Sequence, residues 1–251
     1  MFETLVMAGT ALLLVAGIVS IRHARAFRRT RQMRALARRM GWTFQASPSP
    51  DVVPDRRRFG LFTVRMRQRM RNRLSGRMDS YEVAVFDLHY STTRDTGIAG
   101  SAQTVVHVRS PLLELPAFSL RPERVLHRAG DRVGGQDIDL RQDAEFSRAF
   151  HLLGSDDQGI RDLFDARVRE VYNRTPGAAT DGSGGDLLFW RRAEVASAHE
   201  VAALVQTALE IARLHGRGVY HITGRTNGNH TPHIAARLSA QRWADSYDRP
   251  F

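Results

Sequence analysis

No cysteine occurs in the 251 residues. That excludes disulfides, thiolate nucleophiles and cysteine-ligated zinc or iron–sulfur centres, and it leaves the compartment open. Lysine is absent as well, because all 37 basic residues are arginine. A GC-rich coding bias has this effect by itself, so the net charge of +11 carries no nucleic-acid signal until its distribution is known. Acids, in turn, are scarce at one end. Residues 1–77 hold 17 arginines against Glu3, Asp51 and Asp55, a charge of +14, whereas residues 78–251 hold 20 arginines against 23 acids, a charge of −3. A preference for arginine over lysine does not remove acids from one end, so this asymmetry belongs to the protein.

Charge of either sign is absent from Thr4 to Ile21, between Glu3 and Arg22. As a helix this stretch reaches about 27 Å, close to the ~30 Å hydrocarbon core of a bilayer. Thr4, Thr10 and Ser20 are its only polar side chains, and each can bond back to the helix backbone. A buried core helix is the plain alternative, but such helices seldom start at residue 4 with every face apolar. A cleaved signal peptide lacks support too. The first residues, Met-Phe-Glu-Thr, offer no positive side chain, and arginines flank the Ala24-Arg25-Ala26 match to a cleavage site. The sequence therefore predicts an uncleaved transmembrane anchor. Eight arginines follow it: Arg22, Arg25, Arg28, Arg29, Arg31, Arg34, Arg38 and Arg39. By the positive-inside rule the N-terminus lies outside the cell membrane and the C-terminal side in the cytoplasm. All eight are expected to contact anionic lipid headgroups of the inner leaflet, each contributing about 1 kcal/mol near the surface. Met33, Leu36, Ala37 and Met40 recur at helical spacing, with Gly41 as the stop.

A second basic element, Val64 to Leu74, carries Arg65, Arg67, Arg69, Arg71 and Arg73 at period two. In a strand these five share one face, a candidate anion-facing strip; the plain alternative is a solvent-facing strand. No zinc finger, RNP-type aromatic pair or helix-turn-helix pattern accompanies the basic segments, which favours membrane over nucleic acid.

The remainder reads as α+β: antiparallel strands, then at least two packing helices. Strands are expected at Ser80–Ser91, Gln103–Ser110, Leu115–Leu120 and Asp186–Arg192. Ser47–Pro54 and Pro176–Gly185 are expected as loops, the latter flexible. A helix is expected from Arg121-Pro122 to Gly130. Ile160, Leu163, Phe164, Val168, Val171 and Tyr172 form one apolar helical stripe after the capping residues Ser155-Asp156-Asp157, and a long helix covers about Ala198–His215. The domain plan is an anchor at 1–22, a basic juxtamembrane helix at 23–40, a cytoplasmic α+β domain at 41–215 and a disordered tail at 216–251. A chain starting near Leu36 is expected to fold by itself, and loss of the tail to cost it little.

The run "ELPAFSLRPERVLHRAGDRVGGQDIDL" together with "EFSRAFHLLGSDDQGIRDLF", within Glu114 to Phe164, resembles a family of bacterial, actinobacterial-type single-pass membrane proteins with a cytoplasmic α+β domain. The likeness extends from about residue 35 to 215 and omits the tail. It implies membrane attachment and a bacterial source, and no activity.

Chemical motifs are few. Asp137-Ile138-Asp139 has Asp-x-Asp metal spacing without a partner ligand, so a short strand's polar face is the better reading. His215, His221, His230 and His233 lack a nearby carboxylate or cysteine, so a metal site there is not specified. Gly134-Gly135 opens no phosphate loop, and Gly-x-Ser-x-Gly, Walker and kinase patterns are absent. No cofactor is implied. Two functions remain: a membrane-anchored module binding a protein partner or anionic lipid, or an enzyme with a pocket built from Asp87, His89, His107, Asp137 and Asp139. A deep pocket gathering several of these would favour the enzyme, and a filled core with these side chains in solvent would favour the module.

Overall fold

The structure, a computed structural model, describes residues 2–63, 67–91, 101–123, 136–140 and 143–223, with backbone alone at 2–6, 8–12, 63, 91, 136 and 217–223. A single helix, α1 (Phe2–Met40), opens the chain. It stops where the sequence places its stop. Gly41 takes φ +66°, its N–H bonds the Arg38 carbonyl, and the Trp42 N–H reaches back to the Ala37 carbonyl, a Schellman closure that glycine makes cheap.

Among the described residues nine strands form one antiparallel sheet: β1 (Thr43–Gln45), β2 (Arg67–Met78), β3 (Tyr81–Ser91), β4 (Ser101–Arg109), β5 (Leu115–Pro122), β6 (Gln136–Asp137), β7 (Phe150–Gly154), β8 (Ala178–Gly184) and β9 (Asp186–Arg191). Their spatial order is β1-β2-β3-β4-β9-β8-β5-β7-β6. The helices are α2 (Gly60–Thr63), α3 (Ala144–Ala149), α4 (Asp157–Leu163), α5 (Ala166–Asn173) and α6 (Glu200–Thr223). The C-terminal half of α1, α3 to α5, and α6 cover one face of the sheet. There Met33, Leu36, Val85, Val106, Phe118, Phe146, Phe164, Tyr172, Val205 and Ile211 belong to one buried cluster. A smaller cluster on the opposite face seats Val53, Phe59 and Leu61 of the β1–β2 connection on Phe86, Leu88, Val105, Leu188 and Trp190.

Several expectations are corrected. Pro176–Gly185 is no loop: Ala178–Gly184 is an interior strand and is almost wholly buried. Its small, polar composition hides this because Gly182 yields its side-chain space to the Phe118 ring. Asp181, 1% exposed, accepts the Leu61 N–H, the Ser119 hydroxyl and the Arg121 guanidinium. Arg121-Pro122 starts no helix but ends β5, and the proline is tolerated because pairing with β8 stops at Leu120. The stripe from Ile160 to Tyr172 is buried as expected, yet it spans two helices, because the Asp165 carboxylate accepts the Val168 N–H and caps α5. Helix α6 begins at a capping box, with Ser197 and Glu200 exchanging side chain–backbone bonds. It continues to Thr223, so the boundary expected at 215 falls inside a helix. At Gly216 that helix lies close to Tyr81 and Leu112. Residues 224–251, the rest of the expected tail with His230 and His233, are outside the described residues, as are Gly134 and Gly135.

Among the described residues no helix is long and apolar enough to cross a membrane. The expected Thr4–Ile21 span is thus unsupported by the described side chains, which lack residues 4–6 and 8–12 of it.

Candidate functional site

Helix α1 meets the sheet at a bulge. Opposite β3, strand β2 carries one extra residue between Arg71, paired with Asp87, and Leu74, paired with Val85. Asn72 absorbs it with φ +54°, a left-handed conformation that asparagine tolerates better than most residues. Its side chain donates to Asp87 Oδ2 at 2.9 Å and accepts from the Thr30 hydroxyl of α1 at 2.8 Å. Asp87 also accepts the Thr104 hydroxyl at 3.0 Å. Its principal partner is Arg29, whose Nε and Nη2 reach the two carboxylate oxygens at 3.0 and 2.8 Å. Asp87 is 2% and Arg29 15% exposed at the side chain. Arg29, expected at the lipid surface, is therefore engaged by the protein.

Arg29 marks the point where α1 leaves the sheet. N-terminal to it, every described side chain from Leu13 to Arg28 is exposed; C-terminal to it, Met33, Leu36 and Ala37 are fully buried. Arg25, Arg28, Arg31 and Arg38 are exposed, as are Arg22 and Arg39, and Arg34 sits over the Phe44 ring at 5.3 Å.

The strand arginines gather at the same point, though not all five. Before the bulge, Arg67, Arg69 and Arg71 share the helix-side face with His89 and Asp87, their cross-strand neighbours. Burial lowers the His89 pKa; Asp87 opposes this, while Arg71, Arg29 and Arg69 add to it. Arginines of α1 and β2 thus converge around one histidine where the helix departs. Past the bulge the alternation inverts, so Arg73 points to the opposite face. Arg65 lies outside the described residues. Of the four described arginines of the expected strip, three share one face and Arg73 does not.

The proposed enzymatic set does not converge. Asp87 and His89 lie on the helix-covered face. His107 lies on the other, its Nε2 2.7 Å from Asp186 Oδ1. Asp137 is on the edge strand β6, 3.5 Å from His151, and the Asp139 carbonyl accepts from Arg161. No group of three histidine or acidic residues placed to hold a metal occurs among the described residues. His215 is enclosed by the Phe118 and Phe164 rings.

Sequence reading missed Asp186. Arg109 clasps it with Nε at 2.9 Å and Nη2 at 3.1 Å, and Arg58 approaches to 3.6 Å. Burial raises the Asp186 pKa, but the hydrogen bonds and charges of His107 and Arg109 outweigh that and hold it below the ordinary carboxylate value. Nothing in the local sequence marks the cluster, since its members come from three distant segments.

The fold is similar to that in the crystal structure of the mycobacterial trehalose monomycolate transport factor A, TtfA, with a TM-score of 0.54 over 74% of this chain and 93% of that one. At 13% identity the likeness shows the fold alone. No protein-family model and no curated protein matches the chain.

Proposed function

We propose that the protein is a membrane-anchored module without catalytic chemistry of its own. In this reading α1 crosses the cell membrane through residues 4–21 with its N-terminus outside. The α+β domain lies in the cytoplasm and binds a protein partner at the inner leaflet. The observation that carries it is the division of α1. Met7, Leu13, Leu14, Val15, Ile18, Val19 and Ile21 are 46–74% exposed on an uninterrupted helix, and the domain offers them no cover. An apolar surface that size needs a lipid or protein environment. The arginines just beyond it, Arg22, Arg25, Arg28 and Arg31 on α1 with Arg67, Arg69 and Arg71 on β2, face anionic headgroups in this arrangement. That a protein of similar fold is a transport factor is in keeping with a role in binding partners.

Reporter fusions at residue 251 and ahead of Met1 test the topology. A cytoplasmic signal at residue 251 with an external one at Met1 is expected. The reverse pattern refutes the orientation, and release of the full chain by carbonate washing refutes the anchor.

A further inference from the structure

The bulge at Asn72 has a second effect, on the side of the sheet away from the helices. It places Arg73 beside Ser75 and Arg77 along one wall of a groove whose other wall is His107 and Arg109 of β4. In register, Ser75 lies opposite Ala84, and Ala84 opposite His107. The small Ala84 side chain therefore leaves a trough between the arginines. Val52 of the β1–β2 connection closes one side, Glu82 is the acid on the lining, and the cavity measures about 340 Å³.

We propose that this groove binds a phosphate-bearing ligand. Arg73 is the first reason. It is half-buried, yet among the described residues its Nη1 donates to neutral acceptors alone, Ser75 Oγ at 2.7 Å and Gln45 Oε1 at 3.4 Å. No carboxylate pairs with it among the described residues. Burial lowers its pKa accordingly. A half-buried cation without a counter-ion is stabilised by an anion that joins it. The second reason is the geometry of the donors. Arg109 is fixed by its two bonds to Asp186, which leaves Nη1 outside that clasp. Arg77 stands exposed across from Glu82. Guanidiniums thus approach from opposite walls. A carboxylate offers two oxygens in one plane, whereas a phosphate monoester presents three terminal oxygens in a tetrahedron and can accept from both walls at once. The third reason is size, since the volume suits a small ester or a headgroup and falls within the range of small-ligand pockets.

This site is on the opposite face from the arginines assigned to the membrane, so either reading can fail alone. The test uses the full chain in zwitterionic detergent, titrated calorimetrically with glycerol 3-phosphate at near-physiological salt. Saturable binding is expected, weakened about tenfold or more by Arg73→Gln and by Arg77→Gln and unchanged by Arg167→Gln on α5, an exposed arginine with no assigned ligand. Arg77 is exposed, so its substitution keeps the test valid even if Arg73→Gln lowers stability. Competition by phosphatidic acid in phosphatidylcholine nanodiscs identifies a lipid headgroup as the source, and its absence identifies a soluble ester; each supports the proposal. Lack of saturable binding, binding indifferent to both groove substitutions, or equal arginine-dependent binding of a polyglutamate peptide overturns it.

Discussion

Arg29 and Asp87, 58 positions apart in the chain, close a two-pronged ion pair that fastens an otherwise projecting helix to the third strand of a sheet. Asn72 and Thr104 complete the acceptor shell of the carboxylate. Removing one partner of such a buried pair strands the remaining polar groups. Asp87→Ala is expected to destabilise the domain by about 3–5 kcal/mol, and Asp87→Asn, which retains part of the hydrogen bonding, by less. Urea denaturation of the two variants checks the order.

The same contacts correct where the folding unit begins. Met33 is fully buried, and Arg29 and Thr30 both bond the sheet, yet all three precede Leu36. A chain starting at Ala26 is expected to exceed one starting at Leu36 by upward of about 4 kcal/mol, from the lost methionine burial and the broken pair. Equal melting temperatures for the two would show that α1 contributes nothing to the core.

His215 is expected to make the domain acid-sensitive. No well-aligned hydrogen bond reaches either ring nitrogen. Burial pushes the pKa down to about 4, against the opposing influence of Asp165 and the Leu163 backbone. An unfolded histidine titrates near 6.5, so protons bind the unfolded chain first. The neutral ring's contribution is whole above pH 6.5 and is lost as pH falls toward 4, amounting to roughly 3 kcal/mol. His215→Leu should flatten stability across that window in denaturation at pH 7 and pH 4.5. An unchanged slope would assign the acid sensitivity to other groups.

Gly182 is the tighter of the two glycines in β8. A methyl group there meets the Phe118 ring, which is itself packed edge-on against Phe164 at 5.1 Å. Gly182→Ala is expected to cost about 1–3 kcal/mol through overpacking, measured as a lowered urea midpoint with unchanged slope. Gly177, with nothing near its would-be side chain but φ +78°, should respond through backbone strain instead.

Among the α1 arginines, exposure separates two roles. Neutralising Arg22, Arg25, Arg28 and Arg31 together should weaken binding of a peptide spanning residues 22–39 to anionic vesicles by up to about 4 kcal/mol and leave the domain's melting temperature nearly unchanged. Arg29→Gln should do the reverse in the full chain, lowering the melting temperature. Vesicle binding that survives the fourfold change would remove the lipid role.

Much of the fold was legible because pattern and packing agree. Gly41 ends α1, β3 and β4 form where the sequence places strands although both of their faces are buried, and the stripe from Ile160 to Tyr172 is core. Where reading failed, a tertiary partner overrode a local signal. The composition of Ala178–Gly184 says loop, but Asp181 is satisfied by residues up to 120 positions away and Gly182 serves a ring from another strand. The period-two arginines say one face, but a single left-handed asparagine inverts the alternation after Arg71. The cluster at Asp186 was illegible, since no segment contains more than a fragment of it.

Because α1 runs unbroken from its exposed apolar half into its buried half, the chain has no joint at that place. A linker would let the domain swivel and sample a hemisphere of orientations. A rigid rod, riveted at Asp87, instead sets the tilt of the sheet relative to whatever grips residues 7–21. Any roll or piston movement of that rod arrives at the Arg73 side of the sheet as a turn of the whole domain.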